Sequence, residues 1–102
     1  MAEIETIILD GERMRNRRAA HDHLAEQLGL PEYYGRNLDA LYDLLTERGC
    51  PTRLVVQHKA TLISQLGKYG IALCRTLEDA DQANPSLEVL FPEDRYNDEG
   101  GH

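Results

Sequence analysis

The stretch that decides the fold is LPEYYGRNLDALYDL, residues 30–44. It predicts a loop carrying two tyrosines and a glycine, followed by a helix that Asn37 can cap. At about 100° per residue, the apolar side chains of this helix share one arc. Asp39 and Asp43 are four residues apart, which places both carboxylates on one exposed face. The stretch therefore predicts an amphipathic helix with an acidic outer side, entered from an aromatic loop.

Glu47 continues the acidic row of this helix. Like charges at this spacing destabilise a helix by roughly 0.2–0.5 kcal/mol per pair. A charged helix face is most often simply solvated, and tyrosines often pack under a loop with their hydroxyls bonded. Here, however, carboxylates, aromatic area and an accessible loop backbone occur together, a combination that anchors protein interfaces. The residues predicted to bind a partner are Tyr33, Gly35, Asn37, Asp39, Tyr42 and Asp43.

Strands and helices alternate along the rest of the chain. Short apolar runs at residues 4–9, 54–56 and 87–91 predict buried strands. Further helices are predicted from Asn16 to Gly29, at 60–66 and at 71–83. Strands separated by helices favour an α/β fold, with a three-stranded parallel sheet and helices packed around it. We expect residues 54–56, 89 and 90 to be largely buried, one domain at 1–91, and a disordered acidic tail at 92–102.

Composition and charge exclude several classes of protein. The formal net charge of −7 argues against a general nucleic-acid binder, because affinity for phosphates requires clustered cations, but it permits a basic partner. The first residues lack the basic start and apolar run of a signal peptide. No run approaches the roughly 18 apolar residues of a membrane span. A cytoplasmic location is therefore predicted, with Cys50 and Cys74 reduced.

Motifs of catalysis and metal binding are missing from the sequence. It contains no nucleophile elbow, no zinc-type Cys-x-x-Cys and no His-Glu-x-x-His. His21-Asp22-His23 is a poor metal motif, because residues two apart on a helix do not face each other. Gly67-Lys68-Tyr69-Gly70 lacks the spacing of a phosphate loop. We predict no catalytic residue, no metal and no cofactor.

Residues 30–44 closely resemble the barstar family, whose members are intracellular protein inhibitors of ribonucleases. A weaker similarity extends from Ile4 to Phe91 and includes Ala20, His21 and residues 24–28. The resemblance implies three parallel strands surrounded by helices. It also implies that the loop and the acidic helix together plug the active site of a ribonuclease.

The resemblance assigns roles to individual positions. Residues matching the family's contact residues are Tyr33, Gly35, Asn37, Asp39 and Asp43. Asp43 would mimic a phosphate group, because a pocket of cations that holds phosphate also holds a carboxylate through charge-assisted hydrogen bonds. The stretch Leu77-Glu78-Asp79-Ala80 matches a family segment that contains a functional glutamate. Asp79 is therefore implied as a peripheral contact.

Two positions within the motif depart from the family pattern. Tyr42 stands where the family has tryptophan, and Arg36 stands where it has glutamate. Arg36 precedes Asp39 by three residues, so it could neutralise that carboxylate. It also places a cation at the mouth of the implied site, where it would repel a basic enzyme.

Three functions remain open on the sequence. The first is a non-enzymatic inhibitor of a basic, barnase-like ribonuclease, and the second is an adaptor that binds some other cationic protein. The third is a small enzyme that uses Asp39 and Asp43 as acid and base. Capture of a nuclease or of a non-nuclease partner would separate the first two. Turnover that is lost on substituting Asp39 would identify the third.

Overall fold

A computed structural model describes residues 3–93 of the chain. Its strands are β1 (Glu5–Asp10), β2 (Thr52–Gln57) and β3 (Leu87–Leu90). Its α-helices are α1 (Arg17–Leu28), α2 (Leu38–Thr46), α3 (Lys59–Leu66) and α4 (Lys68–Ala83), and a 3-10 turn covers Gly11–Arg13. Of the acidic tail predicted at 92–102, residues 94–102 lie outside the described part. Within residues 3–93, no helix is both long and apolar enough to cross a membrane.

The three strands form one parallel sheet in the order β1-β2-β3. Ile7 pairs with Leu54 across β1 and β2, and Leu54 pairs with Val89 across β2 and β3. Two helices lie between each pair of consecutive strands in the chain. The predicted α/β architecture is therefore confirmed.

Only one face of the sheet is covered by the helices. Leu54 and Val56 are completely buried, but Val55 and Leu90, which point to the other face, are half-buried. Ile8, on that same other face, is 42% exposed. Of the residues predicted to be largely buried, Leu54 and Val56 are completely buried, whereas Val55 and Leu90 on the other face and Val89 on the covered face are only partly buried. Successive side chains of a strand alternate between faces, so a continuous apolar run does not guarantee cover on both.

Helix ends follow the capping signals of the sequence. The side chain of Asn16 accepts a hydrogen bond from the amide of Ala19 and begins α1. Gly29 ends α1 in the left-handed region, at φ 64°, where a glycine carries no Cβ penalty. Asn37 caps α2 in the same way through the amide of Ala40. These local signals fix the loop between α1 and α2 at both ends.

The start of α4 differs from the prediction. The helix begins at Lys68 rather than Ile71, so Gly70 lies inside it and not in a linker. A Cβ at Gly70 would approach the Cα of Ile63 to 3.0 Å and the carbonyl oxygen of Leu62 to 3.1 Å. This glycine therefore permits close packing of α4 against α3.

Candidate protein-interaction site

The loop between α1 and α2 turns its two adjacent tyrosines in opposite directions. The amide of Tyr34 donates to the carbonyl of Pro31 at 3.0 Å, which closes a turn. Tyr34 is buried, with 5% of its surface exposed, whereas Tyr33 is 81% exposed. Tyr34 therefore holds the loop to the core, and Tyr33 offers a free aromatic ring to solvent.

His21 is the buried partner of the inward tyrosine. Its Nδ1 lies 2.5 Å from the Tyr34 hydroxyl and its Nε2 lies 2.6 Å from the Tyr69 hydroxyl. A neutral imidazole donates through one nitrogen and accepts through the other, so one histidine satisfies both tyrosines. Burial, followed by the charge of Arg36, lowers the pKa of His21. The group joins α1, the loop and α4 in one uncharged hydrogen-bonded unit.

Arg36 does not neutralise Asp39, contrary to one possibility raised by the sequence. Its Nε and Nη2 both lie 2.9 Å from Oδ1 of Asp22 on α1. Arg36 adopts φ 53°, in the left-handed region that side chains rarely enter. This backbone turn and the ion pair with Asp22 hold the guanidinium against α1. Asp39 therefore has no ion pair with Arg36.

Gly35 and Asn37 shape the entry to α2. A Cβ on Gly35 would lie 3.0 Å from Nδ2 of Asn37, so a larger residue would crowd the cap. Asn37 donates from Nδ2 to the carbonyl of Gly35 and accepts at Oδ1 from the amide of Ala40. Both polar atoms of the Asn37 side chain are thus engaged within the chain.

The acidic face of α2 points to solvent. Asp39 and Asp43 are both exposed, while Leu41 and Leu45 on the opposite arc are completely buried. Tyr42 is half-buried beside them and packs against the core. Within residues 3–93, no side chain forms a hydrogen bond or an ion pair with either carboxylate. These two charges are available to an external partner.

Asp79 is exposed on α4, the helix that packs beside α2. In the described part of the chain, no hydrogen bond or ion pair links Asp79 to the loop or to α2. Five of the predicted residues thus lie together on the loop and on α2: Tyr33, Gly35, Asn37, Asp39 and Asp43. Tyr42 lies on the same helix and is partly buried against the core. Asp79 lies on a neighbouring element.

A cleft of about 820 Å³ opens beside the acidic face. The loop, the start of α2, α1 and the start of α4 all contribute to its lining. We call it the arginine cleft; its lining residues are Arg17, Arg18, His21, Arg36, Asn37, Leu38, Asp39 and Tyr69. Sequence patterns alone do not predict this cleft. The arginine-rich segment at 13–18 was the signal, but nothing local indicated that it meets Arg36.

A second polar cluster lies where β1 and β2 end. Carboxylates of Asp10 and Glu12 and the imidazole of His58 come within 4.8 Å of one another, close enough to share a metal ion. Nδ1 of His58 lies 3.0 Å from Oδ1 of Asp10, and this hydrogen bond raises the pKa of the histidine. Burial would raise the pKa of Asp10, but hydrogen bonds from the Glu12 amide and His58 lower it overall. The pairing of a histidine with carboxylates thus accounts for this proximity without an ion.

Comparisons with known proteins agree with this geometry. Residues 4–92 match the family model described as "Barstar (barnase inhibitor)". The chain is also 38% identical, over 77 residues, to the "Putative ribonuclease inhibitor YrdF" of Bacillus subtilis (strain 168). That alignment covers 74% of this chain and 85% of the Bacillus protein. Residues 4–92, which match the family model, include the loop, the acidic face and the arginine cleft.

Proposed function

This chain belongs to the barstar family, and from that membership we propose that it is a non-enzymatic protein inhibitor of a basic ribonuclease, acting in the cytoplasm. The loop and α2 enter the active site of the enzyme. The observation that carries the proposal is the pair of exposed carboxylates, Asp39 and Asp43, with no partner among residues 3–93. The name of the Bacillus relative supports the same class of target.

The inhibitor acts by imitating the substrate. A ribonuclease holds the phosphates of RNA with arginine, lysine and histidine side chains, and these also bind carboxylates through charge-assisted hydrogen bonds. Asp43 occupies the phosphate position, because it lies in the middle of the exposed face. Asp39, in the first turn of α2, contacts neighbouring cations. A carboxylate attached to a helix contains no bond that the enzyme can cleave.

The aromatic and loop residues supply the remaining contact area. Tyr33 exposes most of its ring, so covering it removes apolar surface from water. Gly35 is exposed in the loop, and Asn37, which is bonded to the Gly35 carbonyl and the Ala40 amide, holds the loop and helix in fixed relation. Tyr42 and Asp79 border the surface as peripheral contacts. Because Tyr34 already holds the loop to the core and Asn37 already caps α2, little ordering of the chain is needed on binding.

Substitution of Asp43 by alanine tests the proposal. In the complex, the loss of this carboxylate leaves desolvated cations of the enzyme unpaired, which costs roughly 2–5 kcal/mol of binding. In the free protein it relieves repulsion from Asp39 and Glu47, so stability should stay equal or rise slightly. The assay titrates wild type and D43A against a panel of secreted guanyl-type ribonucleases, with melting curves of both proteins.

Glu88→Ala is the matched control. It removes one negative charge from β3, on the sheet face turned away from the helices, where Glu88 forms an exposed ion pair with Arg53. We expect E88A to inhibit as wild type does. If D43A inhibits equally well, α2 is not the inhibitory element. If wild type inhibits no enzyme of the panel while it captures a basic non-nuclease, the adaptor function replaces this one.

A further inference from the structure

The arginine cleft brings three cations beside the acidic face of α2. Arg17 and Arg18 come from the first turn of α1, and Arg36 comes from the loop. Asp39, which also belongs to the proposed inhibitory face, lines the same cleft. A partner that covers Asp39 therefore also covers the mouth of this cleft.

The cations of the cleft are held in place before any partner arrives. The guanidinium carbon of Arg17 lies 4.2 Å from the centre of the Tyr69 ring, and the Tyr69 hydroxyl is fixed by His21. Arg36 is fixed by its contacts with Asp22. The Arg18 side chain is far more exposed than that of Arg36, and its Nε lies 4.0 Å from the same aspartate. Two of the three guanidiniums are thus preorganised, and a planar guanidinium suits a carboxylate or phosphate.

The charge balance of the cleft fits a single negative charge. Asp22 lies within 4.0 Å of both Arg18 and Arg36, so among residues 3–93 Arg17 is the guanidinium of the cleft without a carboxylate partner, and Asp39 is left to the cations of the enzyme. His21 adds no charge, because it is buried and bonded to two tyrosines. A single guanidinium without a carboxylate partner suits one carboxylate better than a phosphate dianion. The net charge of −7 also repels a polyanion such as RNA.

We propose that the arginine cleft binds one carboxylate side chain of the ribonuclease whose cations are bound by Asp39 and Asp43. This inference rests on the proposed function and deepens it. The interface then carries both signs of charge in a fixed arrangement. A nuclease with a cation opposite the cleft is rejected, and one with an aspartate or glutamate there is accepted. Arg36, at a position where the family has glutamate, thus selects the partner.

Arg17→Glu tests the inference, and Arg15→Glu is its control. Arg15 is exposed and does not line the cleft. Because both variants replace an arginine by glutamate, they carry the same total charge. Both should associate with a basic enzyme slightly faster than wild type, because both are more acidic. R17E alone should dissociate faster, on the order of tenfold to a hundredfold. Arg17→Lys keeps the positive charge but loses the planar guanidinium, so its dissociation rate should lie between those of wild type and R17E. Rates are measured by surface plasmon resonance on an enzyme that wild type inhibits.

A second arm identifies the carboxylate on the enzyme. Acidic residues bordering its catalytic cleft are changed to glutamine one at a time, and each variant is paired with wild type and R17E. With one of these enzyme variants, R17E should bind as well as wild type does, and the double-mutant cycle should show a coupling of about threefold or more in Kd. Because binding is measured rather than cleavage, an inactive enzyme variant does not disturb the result.

The possible outcomes separate the two proposals. If wild type binds an enzyme tightly but R17E dissociates as R15E does, the inference is wrong and the inhibitor function stands. If wild type binds no enzyme of the panel, both fail together. If guanosine monophosphate or a short RNA binds the free protein and R17E abolishes that binding, the cleft is a phosphate site and the carboxylate assignment is overturned.

Discussion

Loss of one hydroxyl group, in Tyr34→Phe, should destabilise the protein far more than the same change at the adjacent Tyr33. The Tyr34 hydroxyl is bonded to Nδ1 of His21, and only 1% of the His21 surface is exposed. Phenylalanine keeps the ring in place and leaves that nitrogen without a partner. A buried polar group left unsatisfied costs about 1–3 kcal/mol. Burial raises the pKa of Tyr34, consistent with a hydroxyl that stays protonated inside the fold.

The assay is calorimetric melting, supported by urea unfolding at neutral pH. For a domain of this size, each kcal/mol lowers Tm by roughly 4–8 °C. Tyr33→Phe should leave Tm unchanged, since that side chain is 81% exposed. His21→Leu should destabilise too, and combining it with Y34F should cost less than the sum, because both remove the same bond. Equal melting of Y34F and Y33F would show that the hydroxyl pairing contributes nothing to stability.

Three further predictions follow from the core, the histidines and the charges. Val56→Ala should cost on the order of 1–3 kcal/mol in urea unfolding, because Val56 is completely buried, while Val55→Ala on the half-buried face should cost less; equal losses would contradict the one-sided cover of the sheet. The free energy of unfolding should be largest above pH 6.5 and fall below it, because burial lowers the pKa of His21 and His23 from 6.5 and the unfolded chain therefore gains these protons first. His58 contributes the opposite trend, because its hydrogen bond to Asp10 raises its pKa. Urea titrations across pH 4.5–8, roughly two units either side of the pKa of an ordinary histidine, would contradict this prediction if stability rose on acidification. Association with a basic ribonuclease should slow steeply with added salt while dissociation changes little, and an association rate that does not depend on salt in stopped-flow measurements would exclude steering by the acidic face.

Local signals were sufficient to predict most of the fold. Asn16, Gly29 and Asn37 act within a few residues of their own positions, so their capping roles can be inferred from the sequence. Gly70 has a different role. The sequence predicts that the last helix begins after Gly70, although the small size of this glycine permits contact with α3. A contact between helices leaves no local pattern in the sequence.

Distant pairings account for what the sequence did not predict at the site. The exposure of Asp39 and Asp43 follows from helical spacing and was predicted correctly. The pairing of Arg36 with Asp22 joins residues on two elements and competes with the nearer Asp39. His21 lies between two tyrosines, one of them 48 positions away in the chain. Such long-range contacts decide which charges are free, and spacing along one helix cannot reveal them.

The purely parallel sheet has a consequence for the order in which the molecule folds. Every strand pairing must wait for two helices to be brought across, so the chain closes long loops before it gains any sheet hydrogen bonds. Proteins dominated by such distant pairings fold more slowly than helical bundles of similar size. During that interval both edges of the apolar strand β2 are unpaired, and unpaired strand edges associate between molecules. Refolding yield should therefore decline as protein concentration rises, even though the finished sheet leaves β2 no free edge.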